Sequence, residues 1–236
     1  MSSTRPYESP AFRAAAGAVL RPGGLALTDR ALAFCRLPPG AAVADVGCGN
    51  GAAAEHLRER HGLRAVGLDP SGTLLAEGRR RSARLPLIRG QAQALPLAGG
   101  RLDAVFCECV LSLTGAPDSV LAEFRRVLRP GGWLALSDIY AAQPAPCPAI
   151  ASPGAGCLEG AMPRRALEAH VTRAGFLIRL WEDHTPLLKH FAAQLVLAGD
   201  DLEALRPAIG LGLRAKDPRC HSRPGYFLMM ARRGEE

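Results

Sequence analysis

Short apolar runs bounded by glycine, proline or acidic residues recur along this chain from residue 41 onward. Between them lie longer stretches whose apolar positions return every three or four residues. Runs of the first kind read as buried strands, and stretches of the second kind as amphipathic helices. Strands are expected at 42–46, 64–68, 85–89, 102–107, 133–139, 176–181 and 226–231, and helices at 51–61, 73–81, 117–128 and 163–174. Gly62 and Gly175 mark helix stops, Asp69 or Ser71 can cap the second helix, and Pro117 suits a first helical turn. Residues 14–20 read as a helix of the mature N-terminus rather than a secretion signal. Arg129-Pro130-Gly131-Gly132 reads as a turn, 143–153 as a surface loop, and 186–213 as helical with a break near Gly199 and Asp200. Strands alternating with helices predict an α/β fold, a Rossmann-like doubly wound sheet that is mostly parallel and covered on both faces.

Composition narrows this further. The chain has 236 residues, 48% of them hydrophobic, with a mean hydropathy of +0.04, enough for one globular domain with extensions. The expected division is a helical N-terminal extension, 1–40, and a main domain, 41–236, whose ligand-binding half is 41–140 and whose substrate side is 141–236. No apolar stretch is long enough for a membrane span, so no membrane partner is expected. The net charge of +7 is carried by arginine, Lys189 and Lys216 being the only lysines. The one dense cluster, Arg79-Arg80-Arg81, closes a predicted helix, where cations complement the helix dipole. No aromatic interleaving accompanies the charge, so no nucleic acid is expected as partner. Seven cysteines without a Cys-x-x-Cys pair argue for a reducing cytoplasm and against a disulfide scaffold or structural zinc.

Chemistry concentrates in Asp45-Val46-Gly47-Cys48-Gly49-Asn50-Gly51, between the first predicted strand and its helix. Glycines there let the backbone turn tightly and approach a ligand. Gly47-x-Gly49-x-x-Ala52 satisfies the dinucleotide fingerprint, but an ionised Asp45 would repel a pyrophosphate and attract a cationic ligand. Asp69, at the tip of the second strand, stands at the spacing from which a carboxylate reaches ribose hydroxyls.

Together, Asp45-x-Gly47-x-Gly49-x-Gly51, Asp69, Gly90-Gln91-Ala92 and Leu128-Arg129-Pro130-Gly131-Gly132 resemble the ordered motifs of class I S-adenosylmethionine-dependent methyltransferases of the type 11-like kind. The resemblance spans about 41–139. It implies a seven-stranded sheet with its last strand antiparallel, and S-adenosyl-L-methionine as the methyl donor. The implied contacts are Asp45, Gly47, Cys48 and Gly49 around the methionine moiety, and Asp69 with Pro70 at the ribose. Gln91 and Ala92 fall at the adenine, Gln91 standing where many relatives have an acid, and Glu108 with Cys109 line the methionine pocket. No metal is required for the transfer.

The acceptor is expected to be a small molecule. Gly156-Cys157-Leu158-Glu159-Gly160-Ala161-Met162 resembles the corresponding stretch of arsenite methyltransferases, which implies Cys157 as a thiolate ligand to a trivalent metalloid substrate. That family carries another cysteine where this chain has alanines 52–54. Cys147, Cys109 and Cys220, the last beside His221, are the further candidate thiols. Cys35, Cys48 and Cys107 read as small buried hydrophobes. Two alternatives are methylation of carbon, oxygen or nitrogen on an organic metabolite, and a thiol-based metalloid carrier that binds the cofactor without turnover. Tyr140 at a strand end is a candidate substrate contact or a packing residue, and Arg21-Pro22-Gly23-Gly24 a candidate cover over the cofactor.

Overall fold

The computed structural model describes residues 6–143, 160–198 and 223–235. Eight strands are assigned: β1 (Ala42–Val46), β2 (Arg64–Asp69), β3 (Leu87–Arg89), β4 (Leu102–Glu108), β5 (Leu128–Gln143), β6 (Met162–Pro163), β7 (Phe176–Asp183) and β8 (Arg223–Arg233). Seven of them lie in the order β3-β2-β1-β4-β5-β8-β7, with the two-residue β6 paired to β5. Every pairing is parallel except those of β8, which runs antiparallel to both β5 and β7. The fold is the Rossmann-like α/β sheet expected, with its last strand reversed.

The helices are α1 (Pro10–Ala16), α2 (Gly24–Cys35), α3 (Ala52–Glu59), α4 (Gly72–Arg81), α5 (Leu111–Thr114), α6 (Pro117–Val127), α7 (Arg164–Arg173) and α8 (Thr185–Ala198). Side chains of the central strands alternate between two apolar layers. Val105 and Cys107 of β4 join one with Phe124 of α6, while Ala104 and Phe106 join the other with Leu57 of α3. Because both faces are covered, these strands read as continuous apolar runs instead of alternating ones.

Several boundaries differ from the expectations. The N-terminal helix ends at Ala16, not residue 20, since Ser9 caps it early and Gly17 takes φ +80°. Helix α2 falls within the helical extension expected over 1–40 but without expected bounds, and the short α5 and β6 had not been anticipated. The turn Arg129–Gly132 is absorbed into β5 as a bulge: from Leu102↔Leu128 to Ala104↔Trp133, β4 advances two residues while β5 advances five. Arg129 closes this bulge by donating to Asp103 Oδ1 at 2.7 Å, while Asp103 Oδ2 accepts from the backbone of Ala42 at the same distance. Helix α8 is described to Ala198, and its expected continuation through 213 lies outside the described residues, as does the surface loop expected at 143–153 except for Gln143, which ends β5 instead.

Candidate cofactor and acceptor site

The carboxyl ends of β1, β2 and β4 converge on one cavity of about 1020 Å³. That is the upper end of the roughly 300–1,000 Å³ common for small-molecule sites. Its floor is the loop after β1. Gly47 there takes φ +79°, and a Cβ at that position would lie 2.0 Å from Val110 Cγ2. Two features thus require glycine: the left-handed backbone and the contact with the loop after β4. A third glycine requirement comes from outside the motif, at Gly78 within α4. A Cβ there would meet the carbonyl oxygen of Asn50 at 2.2 Å, so the helix can press directly on the loop.

Asp45 sits at the inner edge of this loop, 3% exposed. Its Oδ2 has no hydrogen-bond partner among the described residues. Burial, with the neighbouring Glu108 charge, pushes its carboxyl up to about 7. A buried carboxylate oxygen left without a donor fits a ligand that brings a cationic one. It does not fit a pyrophosphate.

Asp69 ends β2 and orders the loop: Gly49 N–H donates to its Oδ2 at 2.8 Å and Ser71 N–H to its Oδ1 at 2.7 Å. Ser71 in turn caps α4 by accepting from Leu74 N–H. Each carboxylate oxygen can accept more than one hydrogen bond, so this role leaves acceptor capacity for ribose hydroxyls. Pro70, Gln91 and Ala92 line the same cavity, with Gln91 and Ala94 closing a small bridge beside it. Cys48 also lines it, but burial raises its thiol well above the ordinary range, as it does for Cys107, and Cys35 is pushed up to about 12. These three thiols are neutral packing groups at neutral pH.

Glu108 is buried and held by the N-terminal segment. Arg21 donates to its Oε2 at 2.7 Å, and the guanidinium also donates to Thr28 Oγ1 at 2.5 Å and to Gly24 O at 2.6 Å. Burial raises the Glu108 carboxyl, with Arg21 and Thr28 working against that rise. The next residue, Cys109, takes the uncommon φ of +60°, and its Sγ lies 3.1 Å from the Tyr226 hydroxyl. Both Glu108 and Cys109 line the cavity.

The roof was not legible. Phe12 of α1 meets Phe191 of α8 edge-on, with ring centroids 6.4 Å apart, and both line the cavity with Leu20, Leu188 and Leu195. Asn50 Nδ2 donates to Ala18 O at 3.3 Å, tying the loop after β1 to this roof. The apolar character of α8 was the available signal, but nothing along the chain paired it with α1. Tyr140 is turned to packing: its hydroxyl donates to Asp183 Oδ2 at 2.6 Å, and its ring stands edge-on to Trp181 and Phe227. Arg79 and Arg81 are spent within the fold, on Leu87 O and on Glu55 with Asn50 O. Cys157, Cys147, Cys220 and His221 lie outside the described residues.

Residues 44–136 match the family model described as a methyltransferase domain. The chain is 39% identical over 100 residues to a demethylmenaquinone methyltransferase of Renibacterium salmoninarum, covering 42% of each protein. It is 31% identical over 156 residues to an arsenite methyltransferase of Halobacterium salinarum, an alignment covering 61% of this chain and 39% of that protein. The chain thus spans less than half the length of either relative. Among solved structures, phosphoethanolamine N-methyltransferase 2 of Haemonchus contortus in complex with S-adenosyl-L-methionine superposes with a TM-score of 0.74. That match covers 97% of this chain and 57% of the other at 18% identity, a likeness of fold. With the family model over its core, the sheet order and the buried acid beside the glycine loop, residues 44–136 are a class I S-adenosylmethionine-dependent methyltransferase domain.

Proposed function

We propose that the chain transfers a methyl group from S-adenosyl-L-methionine to a small, largely apolar organic acceptor. The observation that carries this reading is the single cavity shared by the buried, half-satisfied Asp45 and the apolar roof of α1 and α8. In it, Asp45 and the Gly47 and Gly49 backbone hold the amino-acid end of the cofactor, with Cys48 packed behind them. Asp69 accepts from the ribose hydroxyls, with Pro70 beside it. Gln91 and Ala92 frame the adenine. Cys109 faces the methionine chain, and Glu108 acts as a positioning residue through Arg21. S-adenosyl-L-methionine supplies, when bound, an activated methyl group on a cationic sulfur. The chain's own contribution is alignment of an acceptor with that group and exclusion of water by the aromatic roof. As part of this reading, residues 1–40 form an N-terminal extension and 41–236 a main domain, with Arg21 and Thr28 assigned to the cofactor side because they hold Glu108.

A second reading, a trivalent metalloid such as arsenite held by Cys157, is supported by the similarity to the arsenite methyltransferase and by the thiol in 156–162. Cys157→Ser separates the two. With an organic acceptor the variant keeps most of its turnover, and methylation of arsenite is absent in both forms. If wild-type protein methylates arsenite and the variant loses that activity by about a hundredfold or more, the metalloid reading replaces the organic one. Cofactor binding without any methylated product would favour the carrier reading.

A further inference from the structure

We propose that Asp29, His56 and His61 form a divalent-metal site of the zinc or cobalt type, separate from the cofactor cavity. Asp29 lies midway along α2, His56 in the last turn of α3, and His61 just beyond that helix. Both histidines turn Nε2 toward the same oxygen, Asp29 Oδ1, at 2.6 Å and 2.8 Å. One ligand atom from each of the three lies within 4.8 Å of the others. The imidazoles stand edge to face with centroids 5.1 Å apart. An ordinary surface ion pair needs only one imidazole. Here two converge from different turns of the chain, on a carboxylate supplied by another helix.

Two imidazole nitrogens and one carboxylate oxygen are the donor set of open zinc-type sites, and imidazole also suits cobalt and nickel. Tetrahedral bonds of about 2.0–2.2 Å place donor atoms about 3.3 Å apart. Each histidine nitrogen therefore needs to part from the Asp29 oxygen by about 0.5–0.7 Å, which partly exposed groups can do by small rotations. His56 is 15% exposed, His61 32% and Asp29 44%, so one side opens to solvent for a water ligand. A small cavity of about 210 Å³ bordered by Asp29 and His61 adjoins them. None of the three residues lines the cofactor cavity. The site lies at the end of α3 away from the glycine loop, and a bound metal would cross-link α2 to α3. Because Thr28, the neighbour of Asp29, accepts from Arg21, the metal would brace the segment that positions Glu108.

The test uses the full chain without an affinity tag, titrated with Co²⁺ and followed by visible absorption, with Zn²⁺ followed by calorimetry. One equivalent should bind with the absorption of nitrogen and oxygen ligands and no thiolate charge-transfer band. The midpoint of thermal unfolding should rise, and dialysis against a chelator should reverse the rise. Asp29→Asn and His61→Ala should each weaken binding by about tenfold or more, while Cys157→Ser should not change it. No saturable binding at millimolar metal, a thiolate spectrum, or undiminished binding by Asp29→Asn would overturn the proposal. None of these outcomes depends on turnover, so the site stands or falls apart from the methyl-transfer reading.

Discussion

At the residue scale the decisive group is Asp45. Its folded carboxyl is raised to about 7 by burial and by the Glu108 charge, from an ordinary value near 4. The folded protein therefore holds this proton through a range where the unfolded chain has lost it. Stability from Asp45 falls as pH rises between those two values and is level above about 7. A cationic ligand reverses the preference, because it binds the ionised form. Affinity for S-adenosylhomocysteine, which keeps the ammonium group, should then rise about tenfold between pH 6 and 8. Asp45→Asn should remove that dependence, and should make the unliganded protein more stable at pH 8. Calorimetry across the range checks this, and an equal slope in both proteins would contradict it. Asp45 was legible because an acid before a glycine turn is chemically informative by itself. The neutrality of Cys48 was legible in type only, since its cause is the surrounding burial.

Elements show a different balance. Strand β1 was readable without error, and β2 and β4 to within one residue, because apolar runs buried on both faces have abrupt ends; β5, expected at 133–139, spans Leu128–Gln143, and β8, expected at 226–231, spans Arg223–Arg233. Asp69 and Ser71, capping the loop and α4, were readable for the same local reason. The bulge at Arg129–Gly132 was not, since proline and glycines signal a turn and only pairing with β4 shows it inside a ladder. Nor were the bounds of α2, whose Leu27, Ala31 and Leu32 merge in pattern with the strand that follows. The tie between Arg21 and Glu108 spans 87 positions and leaves no local trace. It is strongly testable. Arg21→Met strands Glu108 without its counter-charge, at a cost of about 3–5 kcal/mol. Urea unfolding should report that loss, and the double variant Arg21→Met with Glu108→Gln should recover most of it. A loss in the single variant below about 1 kcal/mol, the range of exposed pairs, would contradict the reading of this pair.

On the scale of the whole molecule, two units meet over one cavity. The sheet ends present polar and acidic groups, and α1 with α8 presents an apolar cluster in which Phe12 and Leu195 are buried. The first half matches a methyltransferase family model, and its likeness to known sheets was visible from motif spacing. The second half lies outside that match and arises from helices on either side of it in the sequence. Sequence pattern could not bring them together, which is why the donor was readable and the acceptor was not. Among the described residues no helix is long and apolar enough to cross a membrane. The positive charge is largely engaged within the fold, as at Arg126, which donates to Glu123, Leu95 O and Leu97 O.

The central claim is that this cavity performs methyl transfer to a small molecule. Its most direct test is mass spectrometry of reactions containing S-adenosyl-L-methionine labelled in the methyl group, run over a panel of apolar organic acids, phenols and amines, with arsenite and thiols alongside. One equivalent of S-adenosylhomocysteine is expected for each labelled organic product. Binding of the cofactor with no labelled product from any acceptor, or no binding at millimolar cofactor, would contradict it.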